Sequence, residues 1–256
     1  KADLADPELT QAWMDHLEQQ NGVKAIACDT EKANDVKRII AICKQLVPNK
    51  VGTGRQIKAM IMGIPNVGKS TLINTLAGRA VAKTGDEPAV TKSQQLIKLD
   101  DDIMLYDTPG MLWPKVENEN SGYRLAATGG IRDTAFDFAD VASYTAEYLM
   151  HAYPELLKNR YKIDELPKTD WEFFEIAGRN RGCVRSGNQV DTYRMSEILI
   201  NELRSAKIGR ITLETPAMIE AEEIVVAEQR LAAEEKRKAK EEEKRLRKKR
   251  TRQNRK

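Results

Sequence analysis

The chain contains the stretch Gly63-Ile-Pro-Asn-Val-Gly-Lys-Ser-Thr71, which fits the pattern G-x-x-x-x-G-K-[ST]. In this pattern backbone N–H groups surround the phosphates of a nucleotide, and the glycines permit a tight turn and a close approach. Lys69 would place its charge on the β- and γ-phosphates, and the Ser70 hydroxyl would bind Mg²⁺. A predicted strand at 57–62 precedes the loop and a predicted helix at 71–77 follows it, which is the setting that such a loop requires. We therefore expect a nucleotide to be bound by the loop residues Asn66, Val67, Gly68, Lys69, Ser70 and Thr71.

A second phosphate-reading segment, Asp107-Thr-Pro-Gly110, comes directly after another predicted strand. In nucleotide-switch proteins such an aspartate holds Mg²⁺ through water, and the glycine N–H contacts the γ-phosphate. Between the two segments, Thr91 can supply the hydroxyl and carbonyl that sense Mg²⁺ and the γ-phosphate, with Thr84 as a competitor for that role. The expected metal ligands are Ser70, Thr91 and Asp107, and the residues expected to act in catalysis are Lys69, Thr91 and Gly110.

The base-recognition segment stands in an unusual place. No Asn-Lys-x-Asp motif follows Gly110, but the chain opens with Lys1-Ala-Asp3, the last three residues of such a motif with its Asn cut away. Asp3 would accept hydrogen bonds from guanine N1–H and N2–H₂, and the stem of Lys1 would lie along the base. Ala27 and Cys28 stand where a small residue lets a backbone N–H reach guanine O6. A solvated Lys and Asp at a ragged end is the alternative.

The order of these motifs is a circular permutation of the Ras-like arrangement, and the chain resembles the ribosome biogenesis GTPase A family. The resemblance covers residues 1–216 and is carried by the phosphate loop, by the segment from Asp107 to Lys115, and by Ile208-Gly-Arg-Ile-Thr-Leu-Glu-Thr-Pro216. It implies GTP and GDP as ligands, Mg²⁺ as cofactor, and a role in late assembly of the large ribosomal subunit. It also implies that a helical domain contacts ribosomal RNA.

The hydrolytic group is missing from its usual place. Where Ras-like GTPases carry a glutamine that orients the attacking water, this chain has Met111 and Leu112, which cannot hydrogen-bond to water. The sequence therefore predicts slow intrinsic GTP hydrolysis, and the family resemblance implies that the ribosomal particle stimulates it. Asn66 matches a position that binds K⁺ in related GTPases, and an asparagine that only stabilises the loop is an equal alternative.

The alternation of strand and helix patterns predicts an α/β fold. We expect a doubly wound, mostly parallel P-loop GTPase sheet, circularly permuted, followed by a small all-α domain and a charged C-terminal helix. Strands are predicted at 23–27, 57–62, 95–99 and 103–106, the last two as a hairpin. The expected domains are a GTP-binding domain at 1–127, a helical RNA-binding domain at 128–216, and a charged tail at 217–256 that becomes disordered.

Charge is unevenly distributed along the 256 residues. The net charge of +3 divides into +5 for residues 217–256 and −2 for the rest, and residues 244–256 hold nine basic residues and no acidic one. Such a tail is typical of proteins with polyanionic partners. We also expect a basic surface on the helical domain, formed by Lys158, Arg160, Lys162, Arg179, Arg181 and Arg185.

Composition bears on where the protein acts and on its partners. No apolar run is long enough to span a bilayer, and the three scattered cysteines suit a reducing cytoplasm. We expect a cytoplasmic monomer that binds large-subunit precursors. Two alternatives stay open: a GTPase that acts on a protein or a membrane surface, and a GTP-dependent scaffold that does not hydrolyse. An ATPase is disfavoured by the guanine segment.

Overall fold

The computed structural model describes residues 1–30, 32–82, 95–99, 102–112 and 116–253. For residue 243 and residues 245–253 it describes the backbone only. The chain divides into two compact units, Lys1–Leu213 and Glu214–Lys256. No helix in the described ranges is long and apolar enough to cross a membrane.

Two helices precede the sheet. Helix α1 (Pro7–Glu18) begins at Asp6, whose carboxylate accepts hydrogen bonds from two N–H groups of the first turn, with proline at the first helical position. Helix α2 (Ala33–Leu46) buries Val36. The strand predicted at 23–27 is wrong: these residues are not part of any strand, because the Ala25 N–H donates to the Glu18 carboxylate instead of to a neighbouring strand.

The sheet places its central strand beside the phosphate loop. Its order is β1-β3-β2, formed by β1 (Ile57–Ile61), β2 (Gln95–Lys98) and β3 (Ile103–Asp107). Strands β1 and β3 are parallel, whereas β2 and β3 are antiparallel as the predicted hairpin requires. The P-loop α/β fold is confirmed, although the described sheet is smaller and more mixed than the mostly parallel sheet that we expected. Helix α3 (Lys69–Ala77) follows the loop and buries Ile73 against the sheet.

A helical bundle completes the first unit around a core of its own. The helices are α4 (Glu119–Ala127), α5 (Phe138–Ala152), α6 (Pro154–Tyr161), α7 (Asp170–Asn180) and α8 (Thr192–Arg204). Their fully buried side chains include Leu149, Leu157, Tyr161, Phe173, Met195, Leu199 and Ile200. Ala126 and Ala127 at the end of α4 also lie in this core. The domain boundary near residue 127 stays a prediction.

The second unit is one helix, α9 (Pro216–Gln253). Opposite charges spaced four residues apart support it, as in the Lys238–Glu234 ion pair. The helix continues through residues 244–253, which we expected to be disordered. Lysine, arginine and leucine all favour helices, so the basic stretch carries no local signal that would stop α9.

Candidate nucleotide site

The phosphate loop joins β1 to α3 and adopts the backbone that its glycines permit. Gly68 precedes the first residue of α3 with a φ of 96°, and Asn66 has a φ of 59°. A positive φ is open to glycine and tolerated by asparagine, which explains why these residue types stand there. Ser70 and Thr71 lie in the first turn of α3, where free backbone N–H groups favour an anion, and Val67 is 41% exposed.

Lys69 lies across the loop that precedes it. Its Nζ donates to the carbonyl oxygens of Gly63 at 3.0 Å and Ile64 at 2.6 Å. Burial lowers the pKa of Lys69, and the nearby carboxylate of Asp107 opposes that effect. The ammonium group is thus held at the loop, where it can exchange a carbonyl for a phosphate oxygen.

The segment after β3 closes against the loop at Gly110. The Met111 N–H donates to the Gly63 carbonyl at 3.3 Å. A Cβ on Gly110 would lie only 3.1 Å from the Nζ of Lys69 and from the backbone nitrogen of Pro65. Any larger residue would therefore force the lysine or the loop to shift by a few tenths of an ångström, so this contact favours glycine. The two predicted phosphate segments are in direct contact.

Asp107 is the most unusual residue of the site. It ends β3, its exposed fraction is 0%, and neither carboxylate oxygen has a hydrogen-bond partner among the described residues. Burial raises the pKa of this carboxyl group, and the positive charge of Lys69 partly opposes the rise. A buried carboxylate without partners is costly unless a cation compensates it, so this residue fits a metal-binding role. Its neighbour Thr108 donates its hydroxyl to the Ile61 carbonyl at 2.7 Å and so fixes the end of the strand.

The donor set fits a metal bound partly by the nucleotide. No cluster of three or more His, Cys, Asp or Glu side chains that could hold a metal occurs within the described ranges. Mg²⁺ typically takes one or two protein ligands and completes its shell with phosphate oxygens and water. Asp107 and Ser70 can supply those protein ligands. Thr91 and its competitor Thr84 fall outside the described residues, so the role expected of either one stays a prediction.

The opening segment, where guanine recognition is predicted, is linked to α3 through residues 28–30. The Ala2 N–H donates to the Cys28 carbonyl at 3.2 Å, and the hydroxyl of Thr75 in α3 donates to the Thr30 carbonyl at 3.1 Å. The structure therefore brings the opening segment and the loop at residues 27–30 together, on the side of the helix that follows the phosphate loop. Lys1 and Asp3 are exposed, and Ala27 and Cys28 are half-buried. Burial and then the charge of Asp35 raise the pKa of the Cys28 thiol, which keeps it neutral.

A contact that the sequence did not indicate links the loop to the helical bundle. The Asn66 side-chain N–H donates to the Gly129 carbonyl at 3.0 Å. That carbonyl belongs to the turn after α4, and Arg204 of α8 caps the end of α4 by donating to the carbonyls of Ala126 and Ala127. The geometry agrees with the loop-stabilising interpretation of Asn66. In the sequence, the Gly129-Gly130 pair indicates a tight turn after α4, but it does not indicate the contact with Asn66.

The basic surface expected on the helical domain is largely neutralised. Five of its six residues form ion pairs with carboxylates: Lys158–Glu155, Arg160–Glu202, Arg179–Glu175, Arg181–Glu202 and Arg185–Asp191. Glu202 is buried and is shared by two arginines. These six cations are offset by only four carboxylates, so the basic surface expected on the helical domain stays a prediction, weaker than a count of cations alone suggests.

Comparison with known proteins agrees with this geometry. The family described as "50S ribosome-binding GTPase" matches residues 58–163. A protein named ribosome biogenesis GTPase A from Priestia megaterium is 46% identical over 231 residues, covering 87% of this chain and 79% of its own length. Its namesake from Bacillus cereus is 46% identical over 223 residues, covering 84% and 75%.

Solved structures with the same fold include YlqF. The GDP-bound form of YlqF has a TM-score of 0.59 at 24% identity and covers 85% of this chain and 81% of its own. The GNP-bound form from T. maritima has the same score and identity, covering 84% and 79%. On the strength of the relatives' identity and coverage, together with the paired phosphate segments, the chain belongs to the ribosome biogenesis GTPase A family and is a GTP-binding, GTP-hydrolysing enzyme of ribosome biogenesis.

Proposed function

We propose that this GTPase is a switch in late assembly of the large ribosomal subunit. In the GTP state the particle is bound, and hydrolysis releases it. The observation that carries the proposal is the buried, unpartnered carboxylate of Asp107 beside Lys69, with Gly110 closed onto the same loop. This arrangement responds to the charge and the length of the phosphate chain. The description "50S ribosome-binding GTPase" of the matching family favours the large subunit as the partner.

Each site residue has a distinct task in this proposal. Lys69 leaves the carbonyls of Gly63 and Ile64 and binds the β- and γ-phosphates, while the Gly110 N–H contacts the γ-phosphate. Ser70, Thr91 and Asp107 would hold Mg²⁺, which would neutralise the charge that develops on the phosphates. Val67, Gly68 and Thr71 bind the phosphates through the backbone and the first turn of α3. Asn66 would bind K⁺ through its side-chain oxygen, whereas its bond to the Gly129 carbonyl uses the side-chain NH₂ group.

Guanine is read at the opening segment. Asp3 accepts hydrogen bonds from the base, Lys1 covers its face, and Ala27 and Cys28 leave room for guanine O6. The contact between the Ala2 N–H and the Cys28 carbonyl supports this grouping, because it sets both halves of the base site side by side. An adenine ring offers Asp3 no comparable pair of donors, so the proposal favours GTP over ATP.

Hydrolysis depends on the particle. Met111 and Leu112 offer no group that could orient water, so we propose that the ribosomal particle stimulates a slow intrinsic reaction. Contact with ribosomal RNA falls mainly to the basic stretch at residues 244–256, since five of the six basic residues expected to form the surface of the helical bundle are paired with acids. We further propose a monomer in the cytoplasm, which suits three free cysteines.

GTP turnover with and without large-subunit particles tests this function. We expect particles to increase turnover by the wild-type chain, and Lys69→Ala to abolish both turnover and GTP-dependent particle binding. Small-subunit particles are the matched control and should not stimulate. A chain that large-subunit particles fail to stimulate would instead be a scaffold, and stimulation by acidic vesicles alone would favour a membrane-surface partner.

A further inference from the structure

An extended connector follows α8 and is anchored in the helical core. Ile208, Ile211 and Leu213 are buried there with exposed fractions of 5%, 9% and 7%. Gly209 has a φ of 149°, and a Cβ at that position would lie 2.7 Å from Leu156. The connector therefore passes close to α6 in a conformation that favours glycine, and its position is fixed by the bundle.

The outward-facing residues of the connector bind the opening segment of the chain. Arg210 donates from Nη2 to the Ala2 carbonyl at 2.7 Å and from Nε to the Ala5 carbonyl at 2.8 Å. Between these two contacts, the Ile211 N–H donates to the Leu4 carbonyl at 2.9 Å. A single guanidinium group thus spans the residues on both sides of Asp3.

The far end of the same segment is fixed as well. The Asp6 N–H donates to the Thr212 hydroxyl at 3.1 Å, and the Tyr153 hydroxyl donates to the Asp6 carboxylate at 3.1 Å. Asp6 in turn caps α1. The segment therefore has a fixed point at Asp6, and Arg210 determines where the backbone lies from Ala5 back to Ala2.

We propose that Arg210 is a positioning residue for base recognition, which sets the place of Asp3 relative to the guanine. The inference rests on the proposed role of Asp3 and extends it to a residue of the helical domain. Asp3 itself is exposed, so its own side chain has little to hold it, and a fixed backbone keeps its carboxylate in place for two donors of the base. Fixing a residue in advance avoids an entropic cost at the moment of binding. The connector places the helical domain in direct contact with the guanine-reading segment.

The chain without this guanidinium should lose its preference for guanine, while its phosphate binding persists. GDP and IDP separate these effects, because hypoxanthine lacks the 2-amino group that would donate to Asp3. For Arg210→Gln we expect GDP affinity to fall about tenfold, which corresponds to losing the fixed backbone of one residue, and IDP affinity to change far less. Arg210→Lys keeps the charge and can reach one carbonyl. Its GDP affinity should therefore lie between that of the wild type and that of Arg210→Gln.

Titration calorimetry of the full chain with GDP and IDP provides the test. Arg185→Gln is the matched control, because Arg185 is also exposed and pairs with Asp191 rather than with the opening segment. Asp3→Asn shows how far the preference for GDP over IDP falls when the Asp3 carboxylate itself is lost. Thermal unfolding of each variant verifies that it is folded. If Arg210→Gln does not fold, Arg210→Lys takes its place in the test.

The possible outcomes separate this inference from the proposed function. A wild-type chain that binds GDP and IDP equally well overturns the role of Asp3, and with it the proposal for Arg210. A wild type that prefers GDP, with an Arg210→Gln variant that keeps the preference, overturns the role of Arg210 alone. Equal weakening of both nucleotides also contradicts it, because that result would indicate general support of the fold.

Discussion

Replacing Asp107 by asparagine should stabilise the nucleotide-free protein and abolish its response to Mg²⁺. In the structure this carboxylate is fully buried and neither oxygen meets the geometry of a hydrogen bond among the described residues, and the charge of Lys69, followed by the backbone N–H of Thr108, only partly offsets the cost of burial. An unsatisfied buried group costs about 1–3 kcal/mol, and more if it is charged. The amide of asparagine also stays partly unsatisfied, so we expect a net gain of about 1–2 kcal/mol. For a unit of this size that gain raises Tm by roughly 2–8 °C.

The stabilisation should depend on pH with a definite sign. Burial raises the pKa of Asp107 above its ordinary value of 3.8, so the native protein binds this proton more tightly than the unfolded chain does. The stability that this proton contributes is fully present at pH values below the ordinary pKa of 3.8 and is lost as the pH rises through the native pKa of Asp107. The advantage of Asp107→Asn is therefore full at neutral pH and shrinks as the pH falls towards 4, where the wild-type carboxyl group is also neutral.

Urea unfolding of wild type and Asp107→Asn at about pH 7.5 and about pH 4.5 measures both effects. Asp140→Asn is the control, because that carboxylate is exposed and its removal should change stability by less than about 0.5 kcal/mol. Adding GDP with Mg²⁺ should stabilise the wild type further, by about 2.7 kcal/mol at a hundredfold excess over Kd, and the variant should lack the Mg²⁺-dependent part. The reasoning is refuted if the variant is less stable at neutral pH, or if its advantage does not change with pH.

Three further substitutions test the site and the bundle. Lys69→Ala should lower GTP affinity at least about tenfold, since a phosphate-binding charge is lost, and calorimetry that finds unchanged affinity would contradict its role. Asn66→Ala breaks the bond to the Gly129 carbonyl and should cost about 0.5–1.5 kcal/mol in urea unfolding. If GTP hydrolysis by this variant still responds to K⁺ as the wild type does, Asn66 only stabilises the loop. Glu202→Gln leaves two arginines uncompensated and should cost about 2–3 kcal/mol, less than for a fully buried pair because both arginines are partly exposed. Burial alone would raise the pKa of Glu202, but its arginine partners lower it overall, so this loss should appear at neutral pH and fade as the pH falls below 4.5. If Glu202→Gln lowers stability equally at neutral pH and below pH 4.5, the ion pairs are not the cause of the loss.

The sequence predicted the strand, loop and helix around the expected phosphate site because local geometry fixes them. A loop with Gly63 and Gly68 admits few backbone paths, and the strand before it and helix after it followed from short-range patterns. Asp107 was placed correctly at the end of β3 for the same reason. What the sequence could not reveal is that this carboxylate is fully buried and unpartnered, since burial depends on the elements that pack around it.

Features that depend on distant partners escaped prediction. Helix α4 contains Gly122, which disfavours a helix, and its stability comes from packing and from an Asn118 cap rather than from propensity. The pairing of Arg160 with Glu202 joins residues 42 positions apart, so counting charges along the chain could not show that they neutralise each other. The Arg210 contact with Ala2 spans 208 positions and has no local signature.

The long span between the opening segment and its connector has a consequence for biosynthesis. Residues 2–6 leave the translating ribosome before Arg210 and Thr212, which hold them and are added more than two hundred residues later. Contacts of such separation form only after the intervening domains have folded. A nascent polypeptide should therefore acquire tight guanine binding only after Arg210 and Thr212 have been synthesised, which would keep copies that lack the connector from competing for pre-ribosomal particles.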